Sequence, residues 1–190
     1  RINVNRVLLK VIVIGESGVG KTSLLRRLVA NEYTVDGAAP RATVGAELKK
    51  RSVFYDGREF ALAVWDTAGQ ERYASVGVSF YRGADACVLV CDVTKEKTLE
   101  KLETWMQQFM ERGEVKKENF PFIVIANKVD VPEDTRLLSK QDLQEWCSTH
   151  SSHLSDDIPF FECSAKENLN IDRAFTKIAE LVVERGLLPQ

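Results

Sequence analysis

Val7-Leu8-Leu9-Lys10-Val11-Ile12-Val13-Ile14 runs straight into Gly15-Glu16-Ser17-Gly18-Val19-Gly20-Lys21-Thr22, and that junction decides the fold. The first eight residues are dense in β-branched side chains and end at a glycine, which reads as a buried strand. Beyond the glycines, Leu24, Leu25, Leu28 and Val29 share one face of a helix expected from Lys21 to about Glu32. Strand, glycine-rich loop and helix, in that order, satisfy GxxxxGK[ST] and the context it requires. Glycines let successive N–H groups turn inward around phosphate oxygens, and the helix adds its positive N-terminal end. Lys21 supplies a point charge for the β- and γ-phosphates, and Thr22 a hydroxyl for Mg2+. Ser17, Gly18, Val19, Gly20, Lys21, Thr22 and Ser23 are the candidate phosphate-contacting residues.

Outward from this junction, short apolar runs alternate with longer amphipathic ones. Residues 33–46 lack periodicity, carry Gly37, Pro40 and Gly45, and read as a loop. Strands over 48–55 and 58–65 are joined by Asp56-Gly57, a two-residue hairpin signal. Cys87–Cys91 and Phe122–Ala126 read as buried strands, and Phe160–Cys163 as a short last one. Leu99, Leu102, Met106, Phe109 and Met110 form one helical stripe, stopped by Gly113. Ser139 opens another helix with Asp142 in capping-box position and Leu143, Trp146 and Cys147 behind it. Ile171, Phe175, Ile178 and Val182 form the last stripe, which Gly186 ends. The alternation predicts a mostly parallel sheet with helices on both faces, and ligands in such sheets bind beyond the carboxyl ends of the strands.

The chain's 190 residues suit one domain, expected to span residues 1–190. Apolar residues make up 44 % and charged residues 28 %, which excludes disordered and collagen-like chains. With 26 basic and 28 acidic residues there is no basic excess to hold duplex nucleic acid, so none is expected as a partner. No apolar run approaches bilayer length, and the N-terminus has no signal-peptide pattern. Cys87 and Cys91 alternate with Leu89 and should share a buried face, and Cys147 and Cys163 form no CxxC pair. A reducing, cytoplasmic compartment fits. His150 and His153 lie in a serine-rich segment that reads as a solvated loop rather than a metal site.

Two further motifs carry chemistry. Asn127-Lys128-Val129-Asp130 follows the strand Phe122–Ala126. A carboxylate only accepts hydrogen bonds, so Asp130 suits the ring N1–H and exocyclic amine of guanine, whereas adenine offers its N1 lone pair and is repelled. Ser164-Ala165-Lys166, after the last strand, has backbone N–H groups for the guanine oxygen. Asp66-Thr67-Ala68-Gly69-Gln70 follows the strand 58–65. An Asp there holds Mg2+ through a water, Gly69 brings a backbone N–H to a γ-phosphate, and Gln70 orients a water for in-line attack. No histidine or carboxylate pair stands beside Gln70 in sequence. That fits phosphoryl transfer, where positioning and charge neutralisation dominate.

Together these residues resemble the Ras superfamily of small GTPases over essentially the whole chain. Trp65-Asp66-Thr67-Ala68-Gly69-Gln70-Glu71-Arg72-Tyr73 and Phe80-Tyr81-Arg82-Gly83-Ala84 resemble segments of the Rab family. Glu118-Asn119-Phe120-Pro121-Phe122, Trp146-Cys147 and Thr43-Val44-Gly45-Ala46-Glu47 resemble its late-endosomal (Rab seven) branch. The resemblance implies an α/β phosphate-loop GTPase fold, with a six-stranded, mostly parallel sheet, one antiparallel strand and five helices. It implies that Thr43 contacts Mg2+ and γ-phosphate alongside Thr22 and Asp66, that Tyr33 lies beside the guanine, and that Lys21 and Gln70 serve catalysis. Leu48, Trp65 and Phe80 then form the effector-facing patch. Leu48 replaces a phenylalanine usual there, the Tyr33–Thr43 interval is about three residues longer than the family pattern, and Ser148–Asp157 is also long.

The function implied is a switch of vesicular and endosomal traffic. It binds GDP or GTP with Mg2+ and hydrolyses GTP slowly, at about 10⁻⁴ s⁻¹ for such sites unaided. The partners implied are a GTPase-activating protein, an exchange factor, a dissociation inhibitor or escort protein, and effectors. Membrane contact is expected only through a lipidated tail. The chain ends at Gln190 without the family's tail cysteines and starts at Arg1, which reads as a truncated form, the alternative being a soluble form without an anchor. With such a tail, the protein belongs on the cytosolic face of endosomal or lysosomal membranes. Two rivals remain: a module that holds GTP without turning it over, against which Gln70 speaks, and a nucleotide kinase, against which the NKxD segment and short chain speak.

Overall fold

The structure is a computed structural model and describes residues 6–33, 46–67, 78–115, 118–152, 154 and 156–189. Its strands are β1 (Arg6–Ile14), β2 (Ala46–Tyr55), β3 (Arg58–Thr67), β4 (Ala86–Asp92), β5 (Phe122–Asn127) and β6 (Phe160–Glu162). The helices are α1 (Lys21–Ala30), the single turn α2 (Lys97–Glu100), α3 (Leu102–Arg112), α4 (Lys140–His150) and α5 (Ile171–Glu184). The six strands form one sheet in the order β2-β3-β1-β4-β5-β6. Only the β2–β3 pair is antiparallel, as its two-residue turn dictates: Asp56 (φ 49°) and Gly57 (φ 69°) both take the left-handed conformation.

The period of two along the strands divides the interior into two layers. Leu9, Val11 and Val13 of β1 and Val88 and Val90 of β4 pack with Leu24, Leu25 and Leu28 of α1 and Phe175, Ile178 and Val182 of α5. Ile12, Ile14, Cys87, Leu89 and Cys91 point the other way, onto Leu102, Trp105 and Phe109 of α3 and Leu143 and Cys147 of α4. Strands β4 and β5 are buried along their whole length, which is why their sequences read as unbroken apolar runs. All four cysteines are free and buried.

The elements differ from the sequence expectation mainly at their ends. Helix α1 stops at Ala30 instead of Glu32, because Asn31 turns left-handed (φ 55°) and donates its N–H to the Arg27 carbonyl. Val29 faces solvent rather than the core. Strands β2 and β3 extend two residues further toward one another's open end, where Ala46 pairs with Thr67 and Glu47 with Asp66. His150 is not in a loop: it is the last residue of α4, and its ring stacks on Trp146 at 4.0 Å between centroids. The capping box at Ser139 and Asp142 is formed in both directions. Among the described residues, no helix is long and apolar enough to cross a membrane.

Candidate functional site

The motif residues converge at the carboxyl ends of β1, β3, β4 and β5 and in the loop after β6. Gly15 follows β1 at φ 150°, and a β-carbon there would meet the Val90 carbonyl oxygen at 2.3 Å. Only glycine lets the loop leave the strand so close to β4. Lys21 opens α1 and is buried, yet its ammonium donates to the carbonyls of Gly15 at 2.7 Å and Glu16 at 2.8 Å. The side chain thus bends back across the loop it follows and holds its charge at the loop's centre. Burial pulls the Lys21 pKa down to about 8, against the upward pull of Asp66 and Glu16.

Asp66 lies at the end of β3, fully buried. Its Oδ2 accepts the Thr22 hydroxyl at 2.6 Å, while its Oδ1 has no hydrogen-bond partner among the described residues. Burial raises its pKa, and the Thr22 hydroxyl and Lys21 charge work against that rise. A buried carboxylate with one oxygen unsatisfied is costly unless a cation or its water completes it. A hydroxyl and a carboxylate are oxygen donors of the kind Mg2+ takes. The pair therefore fits the ion implied by the phosphate loop.

Asn127 ends β5 and is buried. Its Nδ2 donates to the Val19 carbonyl at 2.9 Å, and its Oδ1 accepts the Ala165 N–H at 3.3 Å. One side chain thus joins the phosphate loop to the loop after β6. Lys128, at φ 71°, donates to the Gly18 carbonyl at 2.7 Å and pairs with Asp92 at 2.6 Å. Burial works against the Asp92 charge, but Lys128 and the Thr94 hydroxyl and N–H outweigh it and hold the carboxyl below its usual range. Asp130 accepts the Ser164 hydroxyl through Oδ1 at 2.7 Å and is otherwise exposed. Tyr33 lies beside Arg27, with the guanidinium carbon 5.7 Å from its ring centroid.

Trp65 and Phe80 stack at 4.6 Å, and Leu48 is the cross-strand partner of Trp65, exposed at 40 %. Thr43, Gly69 and Gln70 lie outside the described residues. The sequence reading overlooked three site neighbours. Glu16 accepts the Trp105 indole N–H at 2.8 Å and pairs with Lys101 at 3.2 Å, tying the phosphate loop to α3. Asp92 anchors Lys128, and Arg27 reaches the loop after β6. An aspartate ending an all-apolar strand, as Asp92 does, is a signal that was available in sequence; Glu16 and Arg27 resemble ordinary polar positions.

Known proteins match this chain over most of its length. The model of the Ras family matches residues 10–184. The Ypt/Rab-type GTPase Rab7 of Gibberella zeae is 47 % identical over 175 residues, covering 92 % of this chain and 82 % of the relative. The Ras-related protein Rab7 of Pisum sativum is 43 % identical, covering 95 % and 85 %. The Ras-related protein Rab-7a of Dictyostelium discoideum is also 43 % identical, covering 96 % and 87 %.

Proposed function

The chain belongs to the Ras family, within its Rab7-type GTPases, and from that premise we propose how its own residues perform the reaction. It is a guanine-nucleotide-binding GTP hydrolase and a switch of endosomal membrane traffic. Backbone N–H groups from Ser17 to Ser23 surround the phosphates, and Lys21 neutralises the β- and γ-oxygens. Thr22 and Thr43 would hold Mg2+ through their hydroxyls, and Asp66 would hold it through a water. Bound there, the ion would supply positive charge to offset that of the phosphates. Asp130 takes two guanine donors, Asn127 and Lys128 brace the phosphate loop against that base site, and Tyr33 covers the base. Gln70 orients the attacking water and Gly69 meets the γ-phosphate.

Leu48, Trp65 and Phe80 then form the surface read by effectors when γ-phosphate holds the segment around Thr43. Exchange factors, activating proteins and escort proteins complete the cycle, and a lipidated tail would set the membrane on which it runs. One observation carries the site reading: Asn127 hydrogen-bonds both the phosphate loop and the loop after β6, so phosphate and base motifs form one connected site. Competition binding with GDP, IDP and ADP tests it. GDP should win by several orders of magnitude over ADP, because a mismatched base leaves buried polar groups unpaired. Asp130→Ala should erase much of the GDP preference over IDP, which lacks the exocyclic amine. Equal affinity for GDP and ADP would refute the assignment.

A further inference from the structure

Arg27 stands in the last turn of α1, on the flank of the helix between its buried face and solvent. Its guanidinium makes three hydrogen bonds, each of 2.9 Å: Nε to the Ala165 carbonyl, Nη2 to the Lys166 carbonyl and Nη1 to the Asn31 carbonyl. The same group lies against the ring of Tyr33. A second tie runs alongside, from Asn168 Nδ2 to Asn31 Oδ1 at 3.2 Å. One planar fork thus grips two consecutive carbonyls of the loop after β6, closes the end of α1 and braces the aromatic ring that follows it.

The consequence follows from peptide geometry. A trans peptide points its C=O and N–H in opposite directions within one plane. Holding the Ala165 carbonyl therefore turns the Lys166 N–H away from the guanidinium, and holding the Lys166 carbonyl does the same for Glu167. The Glu167 N–H is taken by the Ser164 hydroxyl at 2.9 Å, and that hydroxyl in turn donates to Asp130. The Ala165 N–H is shared with Asn127. The backbone of this loop is thus oriented from two sides, its carbonyls by Arg27 and its N–H groups at Ala165 and Glu167 by Asn127 and Ser164. A lysine cannot replace Arg27, because an ammonium has no planar fork with which to hold two neighbouring carbonyls.

We propose that Arg27 is a positioning residue for base recognition: it aims the Ala165–Lys166 peptides at the guanine oxygen and holds Tyr33 beside the base, making the two walls of the base site move as one. The inference rests on the guanine reading above. Arg27 also ties α1, Asn31 and Tyr33 to the loop that reads the base.

Release of GDP and of 6-thioguanosine diphosphate from the wild type, Arg27→Gln and Arg27→Lys tests the proposal. Sulfur is a poor acceptor, so the thio analogue reports contacts to the guanine oxygen alone. Arg27→Gln should release GDP about tenfold faster, the loss of one charge-assisted contact. The thio analogue should accelerate much less, narrowing the ratio of the two rates. Arg27→Lys should show the same narrowing although it keeps a cation near Tyr33. A merely structural tie would speed both ligands equally, so an unchanged ratio in both variants overturns the proposal. A wild type that does not prefer GDP over ADP would instead remove the site reading beneath it.

Discussion

The side-chain nitrogen of Asn127 lies 2.3 Å from the position a β-carbon on Gly20 would occupy. The last glycine of the phosphate loop and the first residue of the base motif thus pack with no room between them, and Gly20 also sits at φ 99°. Gly18 is left-handed too, at φ 80°, but a β-carbon there meets nothing within 4 Å. Gly20→Ala should therefore cost stability twice over, by backbone strain and by displacing a buried amide, in all about 2–4 kcal/mol. Gly18→Ala should cost only the strain, about 1 kcal/mol. Urea denaturation of both variants separates the two terms.

Lys21 gives the site a proton signature. In the nucleotide-free protein its pKa is about 8, below the usual 10.5, because burial disfavours its charge. Between those values the unfolded chain binds more protons than the folded one, so nucleotide-free stability should rise with pH across that window. Phosphate oxygens reverse the shift by stabilising the ammonium. GDP binding at about pH 9 should therefore take up a proton, read by calorimetry in buffers of different ionisation enthalpy. Lys21→Met should abolish the uptake.

Asp66 trades stability for binding. Its charge is buried and one oxygen is unsatisfied among the described residues, so Asp66→Asn should make the nucleotide-free protein more resistant to urea, not less. The same substitution should weaken GTP retention in Mg2+ by about tenfold or more. Chelation by EDTA should speed nucleotide release from the wild type and change the Asp66→Asn variant little. Release rates with and without EDTA measure both.

The capping box on α4 is remote from the site and serves stability alone. Ser139 accepts the Asp142 N–H at 3.1 Å, and Asp142 accepts the Ser139 N–H at 2.7 Å. Ser139→Ala should cost about 1 kcal/mol and leave the GDP release rate unchanged.

Much of this architecture could be read directly from the chain. Periods of two and of about 3.6 placed strands and helices, and Asp56-Gly57 located the antiparallel pair. The three motifs stood out because each sets particular residue types at fixed spacing, and hydrogen bonds join their described residues in space. Helix α1 was over-extended because Asn31, an ordinary polar residue in sequence, ends it by turning left-handed. The extra residues of β2 and β3 were missed because Glu47 and Asp66 pair through backbone, which hydropathy does not register. Arg27 and Glu16 were illegible as partners for a different reason. Each acts on residues far along the chain, from Glu16 to Trp105 or Arg27 to Ala165, and no local pattern encodes such a pairing.

Single-turnover hydrolysis of GTP in Mg2+ tests the central claim most directly, with the wild type and Gln70→Leu compared at equal nucleotide loading. The wild type should convert bound GTP to GDP and phosphate at about 10⁻⁴ s⁻¹, whereas Gln70→Leu should bind GTP as well and hydrolyse it at least about tenfold more slowly, because its water is no longer oriented. Wild type that holds GTP unhydrolysed, or a Gln70→Leu variant that turns over at the wild-type rate, would contradict the account.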